Sequence, residues 1–429
     1  MSCTIELTLD GLVDEELLQA ALTEVLPRHP LLVSRIHDDS RGVPCWIPAE
    51  TWPVLVTDSS RDDSLPELEE PLDLQRAPGL RLRLRSIGER MQLLVHFHHA
   101  CADGAGIFTF VLEWLAAYGR LQNAGLIPAP LLPVDLSWLK NREPASVRPP
   151  LTVLDRCRAI LRRIRIALAA TGPLAECSES GKSSFENEPR SGIRETRLSE
   201  PSFHSLSSSV ESSGGTLNDW LLAALLRTCV DWNARHQPFM GKRWMRIMVP
   251  VDLRDRNTPG TAANHVSYKF VSRRLGSRVD WAKLLSGIIG EMAIVRTHRT
   301  SAHLDWLRRL FRIPAVARWI IHRDSCMATA VLSSLGRVTV AFNSLLPHRD
   351  DRFHSGEMII ADIRVAPPKR PGTNFAAVTY RYANEFRIVA RDDNQSLTGD
   401  ALKTFLEQFR SAIMEPVETS AKGDDTPKT

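Results

Sequence analysis

Between Met91 and residue 121 the chain passes from one hydrophobic pattern to another, and that change limits what it can fold into. Met91-Gln92-Leu93-Leu94-Val95-His96-Phe97 is an apolar alternating run with strand character, and residues 107–121 form a longer apolar and aromatic run of helical length. A strand feeding such a helix calls for a layered α/β core. The junction between them reads His98-His99-Ala100-Cys101-Ala102-Asp103-Gly104. An imidazole held where a strand ends can project into a cleft, and its pKa lies near working pH. That suits a general base.

Two plainer readings apply to the same residues. A histidine at a strand end is commonly a hydrogen-bonded structural residue. A metal site is the other: His96 and His98 share one strand face by the two-residue period, whereas His99 points away. No Cys pair and no His-Glu-x-x-His pattern supplies further ligands at the usual spacing, so no metal is expected.

A chain of 429 residues is long for one core and suits two lobes. Its formal net charge of +4 is too small to argue for nucleic acid. The seven cysteines are scattered, which reads as reduced thiols in the cytoplasm and not a disulfide framework. The N-terminus lacks the basic start and apolar core of a secretory signal, and no run of about 18 apolar residues exists to span a membrane.

Strand and helix signals alternate along the chain. Residues 14–26 read as an amphipathic helix with Leu17, Leu18, Ala21, Leu22 and Val25 on one face. Residues 31–36, 54–57 and 80–86 read as strands, and the proline-rich 128–150 as loop. Residues 172–192 are rich in Ser, Gly and Glu, with little to bury, and read as an exposed linker. That gives a first lobe over 1–171 and a second over 193–414. Within the second, 216–235, 280–298, 302–322 and 398–413 read as helices. Residues 244–251, 266–272, 337–343, 358–365, 376–382 and 386–391 read as strands. The polar tail 415–429 is expected to be disordered.

The junction string resembles the His-His-x-x-x-Asp-Gly motif of the CoA-dependent acyltransferase superfamily. This group includes chloramphenicol acetyltransferase, condensation domains of non-ribosomal peptide synthetases, wax ester synthases and polyketide-associated acyltransferases. Its setting is similar too. Pro71-Leu72-Asp73-Leu74 and Pro78-Gly79-Leu80-Arg81 resemble the segment leading into the motif. Arg28-His29-Pro30-Leu31-Leu32 resembles the turn after the first helix, and Gly215-Thr216-Leu217-Asn218-Asp219 the start of a later one. Pro250-Val251-Asp252-Leu253-Arg254 followed by Asn264 resembles the Pro-x-x-x-Arg…Asn segment. The resemblance runs from about residue 5 to about 414. The Asp-Phe-Gly-Trp-Gly motif of plant members is missing.

The resemblance implies two chloramphenicol-acetyltransferase-like α/β lobes meeting over a central tunnel. It implies an acyl group moved from a CoA or phosphopantetheine thioester, used as co-substrate with no bound cofactor, to a hydroxyl or amine acceptor. His99 would be the base. His98, Asp103, Gly104 and Arg254 would hold the motif, with Arg254 paired to Asp103 and Gly104 sparing a crowded turn. Ser333-Ser334-Leu335-Gly336 stands for a Ser-Asn-Leu-Gly segment, with Ser in place of Asn, so Ser333, Ser334, Gly336 and Asn264 are candidates for the oxyanion or substrate wall. Two readings stand beside this one: a lipid O-acyltransferase of wax ester synthase type, slightly favoured by Thr216 to Asp219, and a catalytically silent recruitment module. Arginines 156, 158, 162, 163 and 165, and 308, 309, 312 and 318, are interleaved with apolar residues. They read as surface helices with Arg stems over the core, or as docking sites for an acyl carrier protein, CoA phosphates or a membrane surface.

Overall fold

The computed structural model describes residues 1–58, 71–139, 171–177, 192–237, 244–254, 261–298 apart from 275, 277 and 278, 326–368 apart from 343, 372–391, 397 and 399–424. Both arginine-rich stretches and the helix expected over 302–322 lie outside the described residues.

The first lobe is built on a seven-stranded sheet. Its strands from the first part of the chain are β1 (Ser2–Asp10), β4 (Leu55–Asp58), β5 (Leu80–Ile87) and β6 (Arg90–His98). Helix α1 (Glu15–Val25) and helix α2 (Gly104–Gln122) cover one face, and a small hairpin of β2 (Ser34–Asp38) and β3 (Pro44–Pro48) lies apart. The second lobe carries β7 (Ile193–Leu198), α3 (Glu200–Ser212), α4 (Leu217–His236), β8 (Trp244–Asp252), β9 (Val266–Arg274), α5 (Trp281–His298) and β10 (Ala328–Arg337). A short turn of helix, α6 (Val338–Ala341), follows. Then come β11 (His348–Arg349), β12 (Arg352–Ser355), β13 (Met358–Ala366), β14 (Thr373–Tyr382), β15 (Glu385–Arg391) and α7 (Gly399–Asp424).

The strand orders are β11-β12-β13-β1-β6-β5-β4 and β7-β15-β14-β10-β8-β9. The lobes therefore do not divide at a linker. β11 to β13 cross from the second half of the chain into the first sheet, where β13 pairs antiparallel with β1 from Thr4 opposite Ala366 to Asp10 opposite Ile359. The boundary expected at 172–192 also fails at its start. Thr171 bridges Trp244, and Leu174 and Ala175 are buried in the second core. Trp232 Nε1 donates to Ala175 O at 2.9 Å, and Ala175 N donates to Asn233 Oδ1 at 2.8 Å. Burial of Leu174 and Ala175, together with these hydrogen bonds, docks this segment; residues 178–191 lie outside the described residues.

Three local expectations are corrected by plain causes. Pro30 opens a 3-10 turn over Pro30–Val33, and its three successive apolar residues are all buried, so the strand starts only at Ser34. The left-handed Gly336, at φ +68°, turns the chain just before β10 ends at Arg337, so residues 338–341 coil into α6 where a strand was expected. The last helix runs on to Asp424, through Pro416, because Val417 continues the buried face of Ile413; residues 415–424 are helical and not a disordered tail.

Helix α2 is the pivot of the first lobe. Asp103 is its N-cap, and Asn123, in the left-handed conformation, closes it. Ile107, Phe108, Phe110, Val111, Trp114 and Leu115 are fully buried. Burying each is worth roughly 1.5–3 kcal/mol. Trp114 Nε1 donates to Leu18 O at 2.8 Å, which fixes α2 against α1. The motif thus sits on the most deeply anchored helix of its lobe.

Candidate active site

β6 ends at His98, and the chain turns through His99 to Ala102 before α2 begins. His98 Nδ1 accepts the Ala100 N–H at 3.1 Å, and its Nε2 lies 2.9 Å from the Met1 amine. Burial, then that amine and His99, push the His98 pKa down to about 4, so the ring stays neutral near pH 7. Cys101 is fully buried, and burial pushes its thiol up to about 12; it is no nucleophile.

His99 borders a cavity of about 1040 Å³ between the two sheets. Its backbone N–H donates to Met1 O at 2.8 Å. The Asn264 amide nitrogen donates to His99 O at 3.0 Å and lies 3.3 Å from His99 Nδ1. One side chain from the second half of the chain therefore holds both ends of this histidine. With Nδ1 beside Asn264, Nε2 is on the ring edge away from that amide.

Asp103 is 2% exposed and accepts three hydrogen bonds. Gly106 N and Arg254 Nη2 donate to Oδ1, each at 2.8 Å, and His265 N donates to Oδ2 at 2.6 Å. Arg254 also reaches Ala263 O at 2.8 Å and Asp252 Oδ1 at 3.1 Å. Burial works against the Arg254 charge, but Asp103 and Asp252 outweigh it and raise its pKa above the ordinary value.

The glycine requirement falls at a different place from the one expected. A Cβ on Gly104 would meet only Leu335 Cδ2, at 3.4 Å. A Cβ on Gly106 would collide with Ala262 O and lie 2.9 Å from Arg254 Nη2. Gly106 is where the segment 261–265 presses onto α2, and sequence reasoning missed it; its only signal was its place two residues past the motif glycine.

The buried pair behind this contact was also missed. His29 Nδ1 accepts the Ala262 N–H at 2.9 Å, and His29 Nε2 lies 3.2 Å from Glu113 Oε2. Arg28 adds a bidentate pair to Glu113 at 2.6 and 3.1 Å. Burial raises the Glu113 pKa, but hydrogen bonds from His29 and Arg28 overcome that and leave it lowered. Arg28 and His29 were visible as a resemblance, but nothing in the sequence linked them to Glu113 or Ala262.

Ser333, Ser334 and Leu335 line the cavity together with His99 and Gly104. Asn264 and Gly336 are not among the lining residues. A bulge in the β10–β14 ladder lies between Ser334 and Gly336, and Gly336 supplies its left-handed residue. Thr216 and Asp219 form a capping box for α4, with Asp219 buried against Arg296 Nη1 at 2.9 Å, and neither lines the cavity. Among the described residues no group of three His, Cys, Asp or Glu side chains could hold a metal ion, and no helix is long and apolar enough to cross a membrane.

Known proteins share this architecture over nearly the whole chain. The first condensation domain of the calcium-dependent antibiotic synthetase superposes with a TM-score of 0.66 at 17% identity, covering 97% of this chain and 91% of that one. Polyketide synthase associated protein 5 from Mycobacterium tuberculosis superposes with a TM-score of 0.59 at 16% identity, over 96% and 94%. The chain has the condensation-domain fold.

By sequence, an uncharacterised protein of Mycobacterium tuberculosis is 23% identical over 453 residues, which cover 96% of this chain and 94% of that protein. Tyrocidine synthase 3 of Brevibacillus parabrevis is 30% identical over 126 residues, 28% of this chain and only 2% of the synthase's length. No family model matches the chain.

Proposed function

We propose that this protein is an acyltransferase that moves an acyl group from a CoA or carrier-protein thioester to a hydroxyl or amine, with His99 as general base. The observation that supports the reading is the place of His99, on the wall of an inter-sheet cavity that it shares with Ser333 and Ser334 of the other sheet.

The chemistry needs a proton acceptor, an oxyanion site and a dry channel. The His99 imidazole takes the acceptor's proton as its oxygen or nitrogen attacks the thioester carbon. The tetrahedral oxyanion collapses, the C–S bond breaks, and the imidazolium returns the proton to the leaving thiolate. Gly104 and Ala105 border the cavity at the first turn of α2, where helical N–H groups lack intrahelical acceptors, and they serve the oxyanion together with the Ser333 and Ser334 hydroxyls. Asp103 is occupied by Arg254, Gly106 and His265, and its role is to hold the motif loop.

The thioester arrives on CoA or on the phosphopantetheine arm of a carrier protein, and the acceptor is a small molecule or a lipid held at a membrane surface. The test follows release of free thiol from acyl-CoA and acyl-carrier substrates, with and without panels of alcohols and amines. Acceptor-dependent thiol release is expected. A silent recruitment module would bind a carrier-loaded partner and release no thiol with any acceptor.

A further inference from the structure

The cavity has a graded wall. In the second sheet Asp252 pairs with Val266, Pro250 with Tyr268 and Met248 with Phe270, while Val331 lies beside both Met248 and Ala376. Descending β8 from Asp252 to Met248 therefore passes from the level of the Arg254 ion pairs to a row of Phe270, Met248, Val331 and Ala376, with Arg391 paired to Ala376 beyond them. Val331 and Ala376 line the cavity at that depth and are packed in one cluster with Met248 and Ala328, against Tyr268 and Phe270. Four residues of strand make this descent about 13 Å. From the first lobe, Ile5, Phe97, Ile107 and Val365 add apolar surface to the same cavity.

The charged lining groups are already engaged. Asp103 and Asp252 meet Arg254, and Glu113 meets Arg28 and His29. An ammonium group at the far end of a chain reaching that row would be a buried charge with no carboxylate lining the cavity at that level, which is costly.

We infer that this arm of the cavity takes an uncharged aliphatic chain, carried on the acyl thioester or on the acceptor alcohol, in preference to one ending in an ammonium group. The inference rests on the acyl-transfer reading for what the chain is attached to, and on the wall alone for its chemistry. Val331 and Ala376 set the depth.

The test measures binding by calorimetry, using unreactive hexyl-, decyl- and tetradecyl-CoA thioethers, and separately hexanol, decanol and tetradecanol. Each buried methylene is expected to tighten binding about fourfold, so hexyl to decyl gains on the order of 10²-fold, with a plateau once the row at Ala376 is reached. Whichever series shows the gain identifies the molecule that bears the chain. Ala376→Phe and Val331→Phe should each erase most of the decyl gain; unfolding curves identify the variants that fold, and the wild-type series decides alone if neither does. A flat chain-length dependence, or 10-aminodecanoyl-CoA competing on a par with decanoyl-CoA, overturns the inference. A chain-length gain with no turnover of any thioester sinks the acyl-transfer reading and leaves this one standing. Turnover with a flat series does the reverse.

Discussion

Removing the Asp103 carboxylate should destabilise the protein more than any other single change at the motif. Asp103→Ala takes one acceptor from three donors: Arg254, the buried His265 N–H and the Gly106 N–H. Breaking a buried ion pair costs about 3–5 kcal/mol. A stranded backbone donor costs about 1–3 kcal/mol, and a lost N-cap about 1 kcal/mol. These overlap and do not sum, and Arg254 keeps Asp252 and Ala263 O with its side chain 20% exposed. The expected loss is therefore about 3–4 kcal/mol, near the lower end of the ion-pair range. Asp103→Asn keeps an oxygen for Gly106 but loses the charge-assisted bonds, so it should cost roughly half as much. Equilibrium urea unfolding by tryptophan fluorescence measures both. A double-mutant cycle with Arg254→Leu should show coupling of about 1–3 kcal/mol. A loss under about 1 kcal/mol at an unchanged urea slope, or plain additivity with Arg254→Leu, would refute the role of Asp103 as the anchor of the motif loop.

Three further outcomes follow from the same geometry. Gly106→Ala should destabilise by about 3 kcal/mol or more, because its Cβ would overlap the Ala262 backbone, whereas Gly104→Ala should fold with little loss; thermal unfolding of the pair checks this. The His98 pKa falls from the ordinary 6.5 to about 4, so its contribution to stability is full above about 6.5 and is lost as pH falls toward about 4. Tm against pH should fall through that window in the wild type and flatten in His98→Asn; parallel curves would contradict it. Asn264→Ala removes both contacts to His99 and should lower turnover on the order of 10-fold while leaving substrate binding nearly unchanged, which a KM-against-kcat comparison reads.

The first lobe and the motif were legible because their signals are local. The runs at 80–86 and 91–97 became β5 and β6 with their ends moved by a few residues, and Asp103 capped the apolar helix that followed. Long-range choices were not legible. The alternation in Met358–Ala366 tells which side chains share a face, but not that the strand leaves its own half of the chain to pair with β1. Likewise, Asn264 reads as a wall residue by resemblance, yet its amide spends itself on His99. The contacts of Gly106, His29 and Glu113 could not be read, because the partner of each is a backbone group or a side chain distant in sequence.

Everything proposed for catalysis turns on His99 removing the acceptor's proton. The decisive comparison is the initial rate of acceptor-dependent thiol release by wild type and His99→Ala, at matched, verified folding. A fall of about 10²–10⁴-fold is expected in His99→Ala, with the unfolding midpoint nearly unchanged. Transfer by folded His99→Ala at close to the wild-type rate would contradict the assignment of His99 as the base.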